Sequence, residues 1–190
     1  MAIVAQLYLV RHGETQWSAT GKHTSFTDVP LTVDGENAAR SLAPVLAELE
    51  VGTVLTSPRI RARRTAELAG FHAAEVDEDL VEWAYGDYEG VTTAEIRQTV
   101  PGWTVWTHPT PGGETAEHVA CRLDRVIARV RESDQPTLVF AHSHSLRALA
   151  ARWLGLDVSV GRHLILDTAT LSTLGGDRGT PVIHHWNVPR

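Results

Sequence analysis

Gln6-Leu7-Tyr8-Leu9-Val10-Arg11-His12-Gly13-Glu14-Thr15 passes abruptly from an apolar run to a cation, an imidazole and a glycine. A short apolar run without alternation reads as a strand buried on both faces, and the polar stretch behind it as the loop at its carboxyl end. The same grammar recurs twice. Thr53-Val54-Leu55-Thr56 leads into Ser57-Pro58-Arg59, and Thr137-Leu138-Val139-Phe140-Ala141 leads into His142-Ser143-His144-Ser145. Strands of this kind, separated by helical segments, build a parallel sheet covered on both faces, and such sheets bind ligands beyond the carboxyl ends of their strands. All three runs place Arg or His there. The expected fold is α/β, a three-layer α/β/α sandwich with a mostly parallel central sheet.

The intervening segments carry helix signals. Ala39, Leu42, Ala43, Leu46 and Leu49 follow helical spacing and predict a helix over 32–48. Ser57 as N-cap and Pro58 at the first helical position predict a second, ending near Leu68 before Gly70. Two more are predicted over 115–131 and 145–154, and late strands over 170–174 and 181–183 are joined by a Gly-rich turn at the sheet edge. The stretch 99–113, with Pro101, Trp103, Trp106, Pro109 and Pro111, reads as an irregular loop that either binds ligand or pins an aromatic cap to the core. With no repeat or linker, the 190 residues are read as one domain, 1–190.

Composition narrows the function classes. At 43% hydrophobic and 21% charged the chain is ordinary for a globular protein, and its lone Cys121 closes no intrachain bridge. No apolar run approaches the ~20 residues that span a bilayer, and the first residues lack the basic start of a signal peptide, so a cytoplasmic location and no membrane partner are expected. A net charge of −6 without a basic run of five argues against nucleic acid. Arg59, Arg61, Arg63 and Arg64 nevertheless crowd together, and Arg11 adjoins His12. Because Lys22 is the only lysine among 17 basic residues, arginine richness alone says little, and position must decide.

Six motifs follow one another along the chain: Arg11-His12-Gly13, Gly21-Lys22-His23-Thr24-Ser25-Phe26-Thr27-Asp28, Ser57-Pro58-Arg59-Ile60-Arg61-Ala62-Arg63-Arg64-Thr65, Glu82-Trp83-Ala84-Tyr85-Gly86-Asp87-Tyr88-Glu89-Gly90, Gly112-Gly113-Glu114-Thr115 and His142-Ser143-His144. In this order and over nearly the whole chain they resemble the histidine phosphatase superfamily, the phosphoglycerate-mutase-like group (branch 1). Within it the chain is most similar to the sedoheptulose-bisphosphatase type and the related bacterial acid phosphatases. The resemblance implies a phosphoglycerate-mutase-like fold, phosphomonoester hydrolysis through a phosphohistidine, and neither cofactor nor metal. It implies His12 as nucleophile, Glu82 as general acid, and Arg11, Arg61 and His142 as phosphate donors. Ser18, His23, Thr24, Ser25, Arg59, Trp83, Tyr85, Glu114 and Ser143 are the candidate substrate contacts. The partner is then a small phosphate ester such as a sugar phosphate or bisphosphate, and a homodimer is left open.

Elementary chemistry supports the assignment. A phosphomonoester dianion needs several fixed cationic donors. Neutral imidazole can attack phosphorus if its other nitrogen holds the proton, and an alkoxide leaving group needs a proton from a nearby acid. Two departures from the family pattern stand out. Ser143 replaces the usual Gly, which would be strained if the position needed positive φ, and Ser18 replaces a common Asn. Three alternatives are weighed. A mutase would keep the phosphohistidine, but the segment from Glu82 to Gly112 is too short for the insertion that mutase relatives carry. A non-catalytic binding module conflicts with five intact site residues, and a metal site would have to rest on His142 with His144 or on His184 with His185.

Overall fold

The computed structural model describes residues 5–189. Its elements are β1 (Leu7–Arg11), α1 (Gln16–Ala19), α2 (Val33–Ser41), α3 (Ala43–Leu46), β2 (Thr53–Thr56), α4 (Ile60–Leu68), β3 (Glu75–Val76), α5 (Thr93–Thr99), α6 (Ala116–Glu132), β4 (Thr137–Ala141), α7 (Ser143–Trp153), β5 (Leu171–Asp177) and β6 (Thr180–Val188). The strands form one sheet in the order β3-β2-β4-β1-β5-β6. β1, β4, β2 and β3 run parallel, while β5 and β6 form the antiparallel edge. No helix of the described residues is long and apolar enough to cross a membrane.

Alternation along the central strands divides the core in two. Leu7, Leu9, Val139 and Ala141 face a cluster completed by Leu123, Val126 and Ile127 of α6 and Leu146, Leu149 and Trp153 of α7. Tyr8, Val10, Leu138 and Phe140 face the other side, against Ala38, Leu42, Leu46 and Ala66 from α2, α3, α4 and the residue joining the first two. This is the three-layer architecture expected from apolar runs without polar alternation. With both faces closed, only the loops at the strand ends remain free to bind.

Several boundaries differ from expectation, each for a local reason. The helix expected over 32–48 is two, because Pro44 has no N–H to continue α2. Ser57 does not cap α4: the N-cap is Arg59, and the first helical N–H, from Ile60, is taken by Asp28 Oδ1 at 3.0 Å. α7 starts at Ser143 with His142 as N-cap, so Ser143 is helical and carries none of the positive-φ strain a Gly-to-Ser change could have brought. β5 and β6 are longer than expected, meeting at a tight turn at Arg178-Gly179.

The loop after β1 is pressed onto α2 through two glycines. A Cβ on Gly13 would lie 2.4 Å from the Gly35 carbonyl oxygen, and one on Gly35 would lie 2.1 Å from that of Glu14. Both neighbours are backbone and cannot rotate away. Gly35→Ala is therefore expected to destabilise by about 2–3 kcal/mol, lowering the melting temperature by roughly 5 °C or more. A calorimetric melt within a degree of wild type would show that this contact relaxes freely.

Candidate active site

The carboxyl ends of β1 and β4, the start of α7, the loop 21–24 and the segment 82–85 enclose a cavity of about 200 Å3. It is lined by Arg11, His12, Ser18, His23, Thr24, Glu82, Tyr85 and Ser143 from the expected set, and also by Gly21, Lys22, Thr93, His144 and Arg147. Arg61 and His142 lie directly behind it, both without solvent exposure. Ser25 sits beneath the loop, whereas Arg59, Trp83 and Glu114 do not reach the cavity.

His12 lies at the floor. Its backbone N–H donates to Ala141 across the β1–β4 pair, and its Nδ1 lies 2.7 Å from the Gly13 carbonyl. A carbonyl only accepts, so Nδ1 carries the hydrogen and Nε2 keeps its lone pair. Burial, reinforced by Arg61 and Arg11, holds this imidazole well below the ordinary histidine range. Beside it Arg11 donates to the Leu166 carbonyl at 2.6 Å, while its Nε–H is buried with no acceptor among the described residues. Ala169, in the left-handed region at φ 52°, is fixed by donating to the Arg11 carbonyl and closes the end of β1.

The second histidine is engaged on both nitrogens. Arg61 Nε donates to His142 Nδ1 at 3.2 Å, which leaves the hydrogen on Nε2, 2.7 Å from Ser57 Oγ. The other Arg61 donors go to the carbonyls of Thr24, Ser25 and Thr27. Arg61 thus holds the loop from its carbonyl side. Glu89 holds it from the amide side, accepting from Ser25 N, Thr27 N and the Ser25 hydroxyl.

The Glu82 carboxylate sits on the N-terminus of α7. Oε1 accepts from Ser145 N at 2.8 Å and Trp83 N at 2.9 Å, and Oε2 accepts from His144 N at 3.0 Å. Three of about four lone-pair positions are filled, leaving one on Oε2. The segment carrying Glu82 is braced by Glu114, which accepts from Ala84 N at 2.9 Å and pairs with Arg122 at 2.8 Å. Trp83 donates its indole N–H to the Glu114 carbonyl. The geometry therefore gives Trp83 and Glu114 supporting contacts, with both facing a separate cavity under the loop 105–110.

Ser18 closes a capping box on α1 with Thr15. Arg59 is half-buried, with its Nε–H unpartnered. Besides Gly21, four lining residues were not among the expected contacts. Arg147 stands one turn beyond Ser143 on α7, its guanidinium 4.9 Å from the Trp106 ring centre, a periodicity readable from the sequence. Lys22, the single lysine, lies 5.8 Å from the Trp17 ring centre at the mouth. Thr93 and His144 complete the wall. Among the described residues no group of three or more His, Cys, Asp or Glu side chains is placed to hold a metal ion.

The sequence matches the histidine phosphatase superfamily (branch 1) over residues 7–189. It is 42% identical over 178 residues to an acid phosphatase of Mycobacterium tuberculosis, covering 92% of this chain and 88% of that protein. It is 36% identical over 192 residues to sedoheptulose 1,7-bisphosphatase of Saccharomyces cerevisiae, covering 83% and 70%. A solved structure of an open reading frame product of Mycobacterium tuberculosis superposes with a TM-score of 0.94 at 39% identity, covering 97% of this chain and 98% of that one.

Burial of neutral histidines has a consequence for stability. Burial lowers the proton affinity of His12, His23, His142 and His144, with neighbouring cations adding to the effect at His12, His142 and His144. Below about pH 6.5 the unfolded chain binds protons at these four positions that the folded chain does not, so their contribution to stability is full above that pH and declines as pH falls. The melting temperature is expected to drop between pH 7 and pH 5.5, above the carboxylate range. A flat or rising profile in a calorimetric pH series would contradict the buried, neutral assignment.

Proposed function

Since the chain belongs to the histidine phosphatase superfamily, branch 1, we propose that it is a metal-independent phosphomonoesterase working through a phosphohistidine on His12. The observation that carries this reading is the bond from His12 Nδ1 to the Gly13 carbonyl, which leaves the Nε2 lone pair free at the floor of a cavity it shares with Arg11 and Glu82. Nε2 attacks phosphorus as the bond from phosphorus to the ester oxygen breaks, and Glu82 delivers a proton to that oxygen from the one open position on Oε2. Water then attacks the phosphohistidine, giving its proton to Glu82 as the N–P bond breaks. Arg11, with its unpartnered Nε–H, and the Arg61 charge behind the floor stabilise the transferring group without a divalent ion.

A small sugar phosphate or bisphosphate is the substrate class that fits best. The acid phosphatase and sedoheptulose bisphosphatase likenesses support ester hydrolysis. Arg147 and Lys22, both lining the cavity, supply cations for a second phosphate. Phosphate release from a panel of sugar phosphates and bisphosphates should persist in excess EDTA and vanish in His12→Ala. Activity lost to chelation and restored by Mg2+ or Zn2+, or an active His12→Ala enzyme, would overturn the mechanism.

The role of Glu82 is separable by leaving group. Glu82→Ala should lower kcat/KM for a sugar phosphate by about a hundredfold or more, and far less for p-nitrophenyl phosphate, whose phenolate leaves unprotonated. With the activated ester, slow breakdown of the phosphohistidine should produce a burst of nitrophenol and an acid-labile phosphoprotein. Equal losses for both substrates without a burst would reduce Glu82 to a binding residue.

A further inference from the structure

Two imidazoles in the cavity wall have no part in the chemistry above. His23 Nδ1 lies 2.6 Å from the Val91 carbonyl, which can only accept, so the hydrogen is on Nδ1 and Nε2 offers a lone pair. The Thr93 hydroxyl lies 3.5 Å from it, long for a hydrogen bond. His144 faces a phenol instead of a carbonyl. Its Nδ1 lies 2.6 Å from the Tyr85 hydroxyl, a phenol with no other acceptor in reach among the described residues. With the phenol as donor, the His144 hydrogen is on Nε2, which bonds to no described residue and is not sealed from solvent.

Aromatic contacts hold both rings in place. Tyr85 meets His23 at 4.7 Å and His144 at 5.8 Å between ring centres, and Trp103 and Trp106 press on their outer sides at 5.2 Å. The two imidazoles lie 6.3 Å apart and within 12° of parallel. Burial favours the neutral form of each.

We propose that Tyr85 and the Val91 carbonyl lock His144 and His23 in opposite tautomers, so that the cavity offers one donor and one acceptor to the leaving group and selects phosphate esters of polyhydroxylated alcohols. This rests on the phosphatase reading of the same cavity and specifies its substrate class. A hydroxyl both donates and accepts, so a chain of them satisfies both rings. A carboxylate only accepts and would face the His23 lone pair, while an ammonium only donates and would face the His144 N–H. Phosphoglycerates and phosphoamino acids are thereby disfavoured. His23 and His144 would touch substrate, whereas Tyr85 acts on His144 as a positioning residue.

Two measurements on the full-length protein test this. Long-range 1H–15N spectra of 15N-histidine-labelled protein should show His144 protonated at Nε2 and His23 at Nδ1. Kinetics should show kcat/KM for glucitol 6-phosphate at least about tenfold above that for 3-phosphoglycerate. In Tyr85→Phe the ratio of glucitol 6-phosphate to p-nitrophenyl phosphate should fall about tenfold, chiefly through KM. His144→Gln, whose terminal amide keeps a donor near the Nε2 position, should retain more of that ratio than His144→Leu. Either histidine in the other tautomer, no preference over 3-phosphoglycerate, or a ratio within about twofold of wild type in both Tyr85→Phe and His144→Leu, would overturn the proposal. If the wild-type protein released phosphate from none of these esters, the phosphatase reading itself would fail, and the spectra would still decide the tautomers.

Discussion

Arg61 is a full positive charge with no solvent exposure and no carboxylate within ion-pair distance among the described residues. Removing such a group from water costs several kcal/mol, and hydrogen bonds from a charged donor return about 1.5–3 kcal/mol each. Four of them, to His142 and to the carbonyls of Thr24, Ser25 and Thr27, hold the cation, and the carboxylates of Glu82 and Asp28 act on its charge from beyond ion-pair distance. The same bonds tie the loop to α4 and to the end of β4, so the loop cannot lift without stranding the cation. Glu89 closes the other side of the loop, and the wall of the cavity is set by charge at both its carbonyl and amide faces.

A helix N-terminus at a strand end is a ready anion site. Here α7 gives that position to the protein's own carboxylate, since His144 N and Ser145 N both donate to Glu82. In the proposed function the phosphate is consequently held by side chains, with Arg11 and His12 at the floor of the cavity and Lys22 and Arg147 toward its mouth. Fixing Glu82 on rigid amides has a second effect. The carboxylate cannot swing toward Arg11 and form the ion pair that would neutralise both groups. Glu114 and Arg122 secure this from outside by anchoring the backbone of residue 84.

The strands that carry the site were legible because each is a short apolar run ending in polar residues, and β1, β2 and β4 fall where the runs lie. The order of strands was not legible, since placing β1 between β4 and β5 depends on pairing across more than a hundred residues. Short elements escaped notice as well. α5 is announced by Thr92 and Glu95, a capping box that was present in the sequence but lies between no strong periodic signals. At the site, residues at strand ends were readable by position alone. The complete burial of Arg61 and His142 was not, because it comes from a loop more than thirty residues away folding over them. Trp83 and Glu114 were read as contacts for a similar reason: the motif shows that they adjoin the site, and only the pairing of Glu114 with Arg122 shows which way they face.

Four histidines converge on this small region, and what each can do is decided by the group at its Nδ1. At His12 and His23 a backbone carbonyl takes the Nδ1 hydrogen and leaves a lone pair on Nε2. At His142 a guanidinium donates to Nδ1 and places the hydrogen on Nε2, and at His144 the Tyr85 phenol faces Nδ1 and, on the proposal above, does the same. Residue type alone therefore cannot separate nucleophile from donor. Charge makes the remaining choice between the two lone pairs. Arg11 and Arg61 bear on His12, which in the proposed function draws the phosphate to it, whereas the charges acting on His23 are the carboxylates of Glu82 and Glu89. His142, whose Nε2–H is held by Ser57, can turn that hydrogen to a phosphate oxygen only by releasing the Ser57 hydroxyl. The serine then needs a new partner, so in the proposed function Ser57 and His142 answer to the phosphate together.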